Sequence, residues 1–167
     1  EKGMKVDMEG FSKGLQEQKN RSRKAAEIDT DDWLVVREGD DATRFLGYET
    51  LETEARIMKV RKVTTKKKTY FQIVLDQTPF YAESGGQVGD VGTVTWPAGR
   101  AKVETVRTEA DGVILHHVTV ADGVLRVGSE VEMTVSEAVR HDTEANHSAT
   151  HLLHAALRRT LGDHVKQ

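Results

Sequence analysis

The sequence predicts an α+β fold, in which a small antiparallel β-barrel is flanked by an N-terminal helix and by a C-terminal helix carrying His-x-x-x-His. Six short segments rich in Val, Ile, Thr, Tyr and Phe occupy the middle of the 167-residue chain, with turn clusters between them. Helical spacing of apolar residues is confined to the two ends. There is no internal repeat and no alternation of strands with helices, so a barrel or a curled antiparallel sheet is favoured.

Residues 1–28 are predicted to be helical. Asp7 is a candidate N-cap for a helix over Val6–Glu27, and Phe11 and Leu15 lie four residues apart on one face. This apolar stripe is thin, so we expect the helix to rest on a further part of a longer protein. A first residue that is glutamate rather than methionine fits the same expectation, that the chain is an excised piece.

The net charge of -3 conceals a strong segregation of charge. Residues 1–24 hold 7 basic and 4 acidic side chains, residues 27–54 hold 2 and 10, and residues 56–68 hold 7 and none. A basic strand and turn can neutralise nucleic-acid phosphates, and it can equally be a solubilising hairpin or a strand edge protected by lysine. This basic block consists of Arg56, Lys59, Arg61, Lys62, Lys66, Lys67 and Lys68.

Residues 29–54 are predicted to be an acidic connector with a short strand at Trp33–Val36 and a turn at Gly39–Thr43. The β-barrel is expected over residues 55–135, because β-branched and aromatic residues dominate there. Its strands are predicted at Ala55–Val63, Thr69–Leu75, Val91–Trp96, Ala101–Arg107, Val113–Val120 and Glu130–Val135.

The last unit, residues 136–167, is predicted to be a helix, because the apolar period changes after the final strand. Ser136 is a candidate N-cap and Gly162 a helix stop. We expect the apolar stripe of this helix to pack on the barrel or on another copy of the chain. The stripe consists of Val139, Ala145, Ala149, Leu152, Leu153, Ala156, Leu157 and Leu161.

Histidines on this helix form the first candidate site. His147, His151 and His154 share one face, at i, i+4 and i+7. His147 and His154 are about 10 Å apart along the axis, so His147 and His151 are the pair that can bind one zinc ion. Such pairs also arise by chance on amphipathic helices, and a zinc site needs further ligands. These could be His116, His117, His141, His164, a carboxylate or chain outside this sequence.

A glycine-rich segment, residues 76–90, forms the second candidate site. Three glycines in five positions permit positive φ angles and close approach of another backbone. The segment is either a tight turn between strands or a loop whose backbone amides and Gln87 face the end of an RNA. The tripeptide Gly85-Gly86-Gln87 also resembles the hydrolytic loop of translation release factors, although nothing else in the sequence does.

The composition argues against other classes of protein. No apolar run approaches the ~20 residues of a transmembrane helix, and no signal segment opens the chain. Without cysteine there is no disulfide framework, which fits a reducing cytosol. We therefore expect a cytoplasmic protein.

Three segments resemble alanyl-tRNA synthetases. Leu75–Gly92 has LDQTPFYAESGGQVGDVG and Asn146–Gln167 has NHSATHLLHAALRRTLGDHVKQ, in the order and separation found in that family. Val6–Ala25, with VDMEGFSKGLQEQKNRSRKA, resembles the end of the family's helical tRNA-recognition region. The resemblance spans nearly the whole chain and is weakest across residues 27–54.

The resemblance implies an internal fragment of a ligase that attaches alanine to tRNA(Ala) at the expense of ATP. Residues 1–28 would end the tRNA-recognition region, residues 55–135 would form the barrel, and residues 136–167 would begin the editing domain. That domain hydrolyses tRNA(Ala) mischarged with serine or glycine. ATP and magnesium would belong to the missing catalytic domain, and a downstream Cys-x-x-x-His would complete the zinc site. We therefore expect the isolated chain neither to ligate nor to edit.

The resemblance also assigns roles to single residues. His147 and His151 match the first zinc pair of the family. Thr150 matches a threonine that discriminates the misacylated residue, and Gln167 matches a glutamine of the editing pocket. The turn Gly85-Gly86-Gln87 matches a loop close to the acceptor end of tRNA.

Two alternative functions remain. One is a free-standing hydrolase of mischarged alanine tRNA, against which the N-terminal helix argues, because such proteins typically start near the barrel. The other is a non-catalytic RNA-binding barrel that uses the basic block as its contact surface.

Overall fold

The computed structural model describes residues 29–35, 42–66, 68–109 and 112–166. The predicted N-terminal helix, Val6–Glu27, lies outside the described residues, as do Lys67 and Gln167. Ten strands and one helix are described. They are β1 (Asp29–Thr30), β2 (Leu34–Val35), β3 (Arg44–Phe45), β4 (Glu52–Thr64), β5 (Thr69–Leu75), β6 (Gln77–Thr78), β7 (Gly92–Trp96), β8 (Gly99–Thr108), β9 (Ile114–Asp122), β10 (Glu130–Val135) and α1 (Glu137–Leu161).

Six of these strands close into an antiparallel barrel. Their order is β4-β10-β7-β8-β9-β5, and β5 pairs back with β4. The register places Met133 opposite Val94 and Val103 opposite Val118. Because each of the six strands has a partner on both sides, the barrel has no open seam. The predicted barrel is confirmed, and the ends of its strands lie within three residues of the predicted ends.

Side-chain alternation along the strands fills the barrel interior. Ile57, Val94 and Met133 have no exposed surface and belong to one hydrophobic core. Successive strand residues point to opposite faces, and β-branched residues pack well on such a pleated surface. A bulge between Ile57 and Lys59 breaks the alternation of the long strand β4. Bulges bend a strand and increase its twist, which helps a sheet to close into a barrel.

Short strands outside the barrel cover part of its surface. β1 and β2 both pair antiparallel with β4, whereas β3 pairs in parallel with β6. The predicted strand at Trp33–Val36 is confirmed, as Leu34–Val35. The Cζ atom of Arg61 lies 4.2 Å from the centroid of the Trp33 ring, so the acidic connector packs on the outer face of β4. Most of the predicted turn Gly39–Thr43 lies outside the described residues.

Helix α1 follows the last barrel strand with one intervening residue, Ser136. The Ser136 backbone is extended, and its N–H donates to the carbonyl oxygen of Val91 at 2.9 Å. The predicted N-cap position is confirmed, and the Ser136 hydroxyl makes no capping hydrogen bond to the described residues. The helix ends at Gly162, with a φ of 109° and an N–H that donates to Arg158.

The apolar stripe of α1 is uncovered in the described part of the chain. Leu152 is 72% exposed and Leu153 is 60% exposed. The expectation that this stripe packs on the barrel is therefore wrong, because the helix faces the barrel with the opposite side, which carries Arg140 and His147. Packing on another copy of the chain stays a prediction. Among the described residues, no helix has the length and apolar character needed to cross a membrane.

Candidate functional site

The glycine-rich segment folds into a two-residue turn, Gly85-Gly86, that is exposed at the surface. Around it, Ser84 and Gln87 exchange backbone hydrogen bonds of 2.9 and 3.2 Å. The φ angles of the two glycines are 59° and 82°, the arrangement of a type I′ turn, which glycine adopts without strain. A Cβ added to either glycine would meet nothing within 4 Å. The turn therefore offers bare backbone to a ligand. We call it the glycine turn.

Asp90 closes the base of the loop that carries the glycine turn. Its backbone N–H donates to the Tyr81 carbonyl at 3.0 Å, and its carboxylate accepts from the Tyr81 N–H at 2.7 Å. Nearer the tip, the Glu83 N–H donates to the Val106 carbonyl of β8 at 2.9 Å. The Glu83 carboxylate lies 3.3 Å from Arg107. These bonds fix the loop to the barrel.

Arg140 joins helix α1 to the same point. Its guanidinium and the Asp90 carboxylate form a buried, bidentate ion pair, with Nε at 2.9 and 3.0 Å from the two oxygens. The remaining donors reach the Gly47 carbonyl at 2.8 Å and the Pro79 carbonyl at 2.9 Å. A buried charge is tolerated where it is paired and its hydrogen bonds are satisfied, and this guanidinium meets both conditions. Three segments of the chain are thus held by one side chain.

A cleft of about 420 Å³ lies between the glycine turn and α1. The two motifs that the sequence predicts as separate candidate sites form its opposite walls. The loop contributes Gly85, Gly86, Gln87 and Val88, and the helix contributes Thr143, Asn146, His147, Thr150 and His151. We call this space the turn–helix cleft.

The two cleft histidines already face each other. Nε2 of His147 lies 3.0 Å from Nε2 of His151. Two nitrogens bound to one tetrahedral zinc ion, each at about 2.1 Å, lie about 3.4 Å apart, so a small ring rotation would bring the pair to that spacing. The described residues contain no group of three His, Cys, Asp or Glu side chains that could hold a metal ion. The pair therefore fits two of the four positions of a zinc site.

Thr150 and His154 lie on the same helix but differ in their relation to the cleft. Thr150 lines it, and its hydroxyl donates to the Asn146 carbonyl at 2.9 Å, which leaves the oxygen able to accept a hydrogen bond from a ligand. His154 is half-buried and is not part of the cleft wall. Gln167, the other predicted pocket residue, lies outside the described residues.

The basic block does not line the turn–helix cleft. Several of its cations are bound by carboxylates of the same chain, which reduces the positive charge that they offer to a partner. The Arg61 Nε also donates to Gln72 at 2.6 Å. Contact of the block with RNA stays a prediction. The ion pairs are Arg56 with Glu130, Arg61 with Glu109, and Lys68 with Glu104.

His116 and His117, named above as possible further zinc ligands, lie in β9 and outside the cleft wall. His116 is fully buried, with Nε2 at 2.7 Å from the Thr78 hydroxyl, and burial lowers its pKa to about 3. His117 stacks on Tyr70, with ring centroids 5.2 Å apart, and its pKa is lowered mainly by burial. Both histidines therefore belong to the packing of the barrel.

Asp90 and Arg140 are the residues that sequence reasoning missed. In the sequence, Asp90 is only the last residue of the glycine-rich segment, and Arg140 looks like an ordinary charged residue of the first helical turns. One signal was present, because Arg140 lies seven residues before His147 and so shares the histidine face of the helix. The partner of this cation on the barrel is visible only in the structure.

The comparison with protein families defines the class of this chain. The family of tRNA synthetases class II (A) matches residues 1–139. The chain therefore belongs to the class II tRNA synthetases.

The similar curated proteins are alanine-tRNA ligases, which confirms the resemblance stated from the sequence. Identity is 47% to that of Thermus thermophilus, 46% to that of Cytophaga hutchinsonii and 43% to that of Thermotoga maritima. Each alignment covers 100% of this chain and 20%, 19% and 20% of the respective relative. The chain thus spans about a fifth of the length of the curated relatives that it matches.

Proposed function

We propose that this chain forms, within an alanine-tRNA ligase, the part that brings the aminoacylated end of tRNA(Ala) to a hydrolytic editing site. The observation that carries the proposal is that the glycine turn and the histidine pair form opposite walls of one cleft. In this proposal, alanine, ATP and magnesium are bound by the rest of the ligase, which acts in translation in the cytoplasm.

The need for editing follows from the energetics of small pockets. A pocket that accepts alanine cannot exclude the smaller glycine by size, and it rejects the added hydroxyl of serine weakly. A second site that hydrolyses the wrong ester corrects these errors. Such a site must hold the tRNA end and the aminoacyl group together, and a cleft between an RNA-facing turn and a polar helix face offers both surfaces.

Each wall of the turn–helix cleft has a separate task in this proposal. The glycine turn approaches the ribose and phosphate of the terminal nucleotide closely, because no side chain intervenes. Gln87 donates and accepts hydrogen bonds beside it. Thr150 faces the aminoacyl group and distinguishes serine from alanine through its hydroxyl oxygen. Gln167 is proposed as a further residue of the editing pocket.

Zinc is the metal proposed for this site, with His147 and His151 as two of its ligands. A small ring rotation would bring their nitrogens to the spacing of two ligands of a tetrahedral ion, and further ligands are expected from other parts of the ligase. A bound zinc ion supplies Lewis acidity to a water molecule or to the ester carbonyl. The chain's own side chains orient the tRNA end relative to that position.

Binding of an aminoacylated acceptor-stem minihelix tests the proposed cleft. We expect the chain to bind the minihelix, and zinc to shift the ring NMR signals of His147 and His151. His151→Ala should abolish these shifts and weaken minihelix binding, because it removes one ligand and part of the cleft wall. His154→Ala, on the same helix but outside the cleft wall, is the matched control. Equal loss in both variants would contradict the proposal.

The chain by itself is expected not to hydrolyse Ser-tRNA(Ala), because a histidine pair is half of a zinc site. Incubation of the chain with Ser-tRNA(Ala), with and without zinc, measures this directly. Robust hydrolysis would show that the chain is a complete hydrolase, as in the free-standing alternative. If substitutions in the cleft leave the affinity for RNA unchanged and only substitutions in the basic block lower it, the non-catalytic alternative is favoured.

A further inference from the structure

The buried ion pair of Arg140 with Asp90 joins the two walls of the turn–helix cleft at their bases. Asp90 ends the loop that carries the glycine turn, where it is bonded twice to Tyr81. Arg140 lies one turn after the start of α1 and is the single buried residue of that helix in the described chain. The adjacent backbone bond, from the Ser136 N–H to Val91, attaches the helix start to the same part of the barrel.

The position of the ion pair near the start of α1 means that a small tilt of the helix there displaces the two cleft histidines. His147 and His151 lie about 10 and 16 Å beyond Arg140 along the helix axis. A rotation of the helix by about 10° at Arg140 would therefore move His151 by about 3 Å. A displacement of even 1 Å can cost a catalytic constellation about 100-fold in rate. A small change in the angle of the helix at this contact would therefore alter the width of the cleft.

The chemistry of the contact suits this task. A guanidinium is a planar fork that binds a carboxylate through two parallel hydrogen bonds, which fixes an angle as well as a distance. Its other donors bind the backbone carbonyls of Gly47 and Pro79, which belong to other segments of the chain. A lysine at this position would keep the charge but would lose the fork and most of these bonds.

We propose that Arg140 is a positioning residue, whose buried pair with Asp90 fixes the distance between the glycine turn and the His147–His151 face of α1. The meaning of this distance for tRNA editing rests on the proposed function. That the ion pair fixes the distance between the two walls is independent of the proposed function.

Paramagnetic relaxation tests the inference on the chain itself. The sequence has no cysteine, so Ser148→Cys carries a single nitroxide on the exposed side of α1. In the otherwise unchanged chain, the label should broaden the backbone amide signals of Gly85 and Gly86. Arg140→Lys should reduce this broadening at a temperature where the chain is still folded, because the helix tilts away from the turn.

Two further variants keep the test decisive. Asp90→Asn retains an acceptor for the Tyr81 N–H while removing the charge, and it should reduce the broadening in the same way. It replaces Arg140→Lys in the test if that variant does not fold. Val103→Ala lowers stability through the barrel core and should leave the broadening unchanged. If Arg140→Lys and Asp90→Asn lower the melting temperature but keep the broadening of the parent chain, the pair has a purely stabilising role and the inference is overturned.

The same measurements separate this inference from the proposed function. If the parent chain binds neither zinc nor the minihelix, the proposed function fails, but the amide broadening still decides the role of Arg140. If both ligands bind, Arg140→Lys should weaken minihelix binding while leaving the zinc-induced shifts, since both histidines belong to one helix.

Discussion

At the scale of single residues, the buried polar groups of this chain carry the most information. His116 has no exposed surface and lies at hydrogen-bond distance from Thr78. Water cannot solvate an imidazolium there, which is why the pKa falls to about 3. His116 is therefore neutral in the folded chain at every pH at which the protein is expected to work, and its charge is available only on unfolding.

The depressed pKa of His116 makes stability depend on pH. Between about pH 6.5 and 3 the unfolded chain binds a proton that the folded chain does not, so the free energy of unfolding decreases as the pH falls. The slope from this residue approaches about 1.4 kcal/mol per pH unit. Urea unfolding of the parent chain and of His116→Gln at several pH values measures it.

We expect His116→Gln to flatten this dependence while preserving a hydrogen-bond partner for Thr78. The pKa of His117 is also lowered, mainly by burial, so the pH dependence that remains in this variant has the same sign. Val103→Ala, which lowers stability without removing a titratable group, is the control and should keep the parent slope. An unchanged slope in His116→Gln would show that other groups dominate the acid sensitivity.

At the scale of the elements, the closest backbone approaches determine which glycines are required. A Cβ at Gly92 would overlap the Thr134 carbonyl of the neighbouring strand β10 and the ring of Phe80. At Gly86 the space around an added Cβ is open, so a substitution there is unfavourable only because the φ angle is positive. The two positions separate steric exclusion from backbone strain.

We therefore expect Gly92→Ala to destabilise the barrel by about 3 kcal/mol, because neither strand can move without breaking the β7–β10 ladder. Gly86→Ala should cost about 1 kcal/mol. Urea denaturation of both variants at one pH gives the comparison. The opposite order of stability would contradict the described pairing of Gly92 with Val135.

Sequence patterns predicted the elements well and their mutual arrangement poorly. The six barrel strands are local features, because alternation and turn residues lie within each segment. The pairing of β10 with β4 and the junction of Arg140 with Asp90 join residues that are far apart in the sequence, and no local pattern encodes them. The sequence predicts the apolar stripe of α1 correctly, but of the two partners expected for it the barrel is wrong and another copy of the chain stays a prediction. For the site, both motifs were found, while the cleft between them became visible only from the fold.

At the scale of the whole molecule, charge segregation controls how the chain meets RNA. The net charge of -3 repels a polyanion, so attraction must come from local basic surface. Seven cations would give a salt slope of about -6 on duplex RNA if all of them contacted phosphates. Internal pairs of Arg56, Arg61 and Lys68 with carboxylates lower this expectation.

We expect the logarithm of the minihelix affinity to fall with the logarithm of salt concentration with a slope shallower than about -6. Lys62→Gln, an exposed residue of the block, should make the slope shallower by about 1. Lys102→Gln, an exposed lysine of β8 outside the block, is the matched control. Equal slopes in all three chains would assign the RNA contact to another surface.

The single-residue junction between β10 and α1 has a consequence for which sequence changes the molecule can accept. Val135 belongs to the barrel core and Glu137 to the helix, and Ser136 alone separates them. One residue inserted there would turn every later helical position by about 100° and advance it by about 1.5 Å. Such a change would take Arg140 out of reach of Asp90 and His147 out of the cleft together. At this point the chain should accept replacement of a residue far better than a change of length.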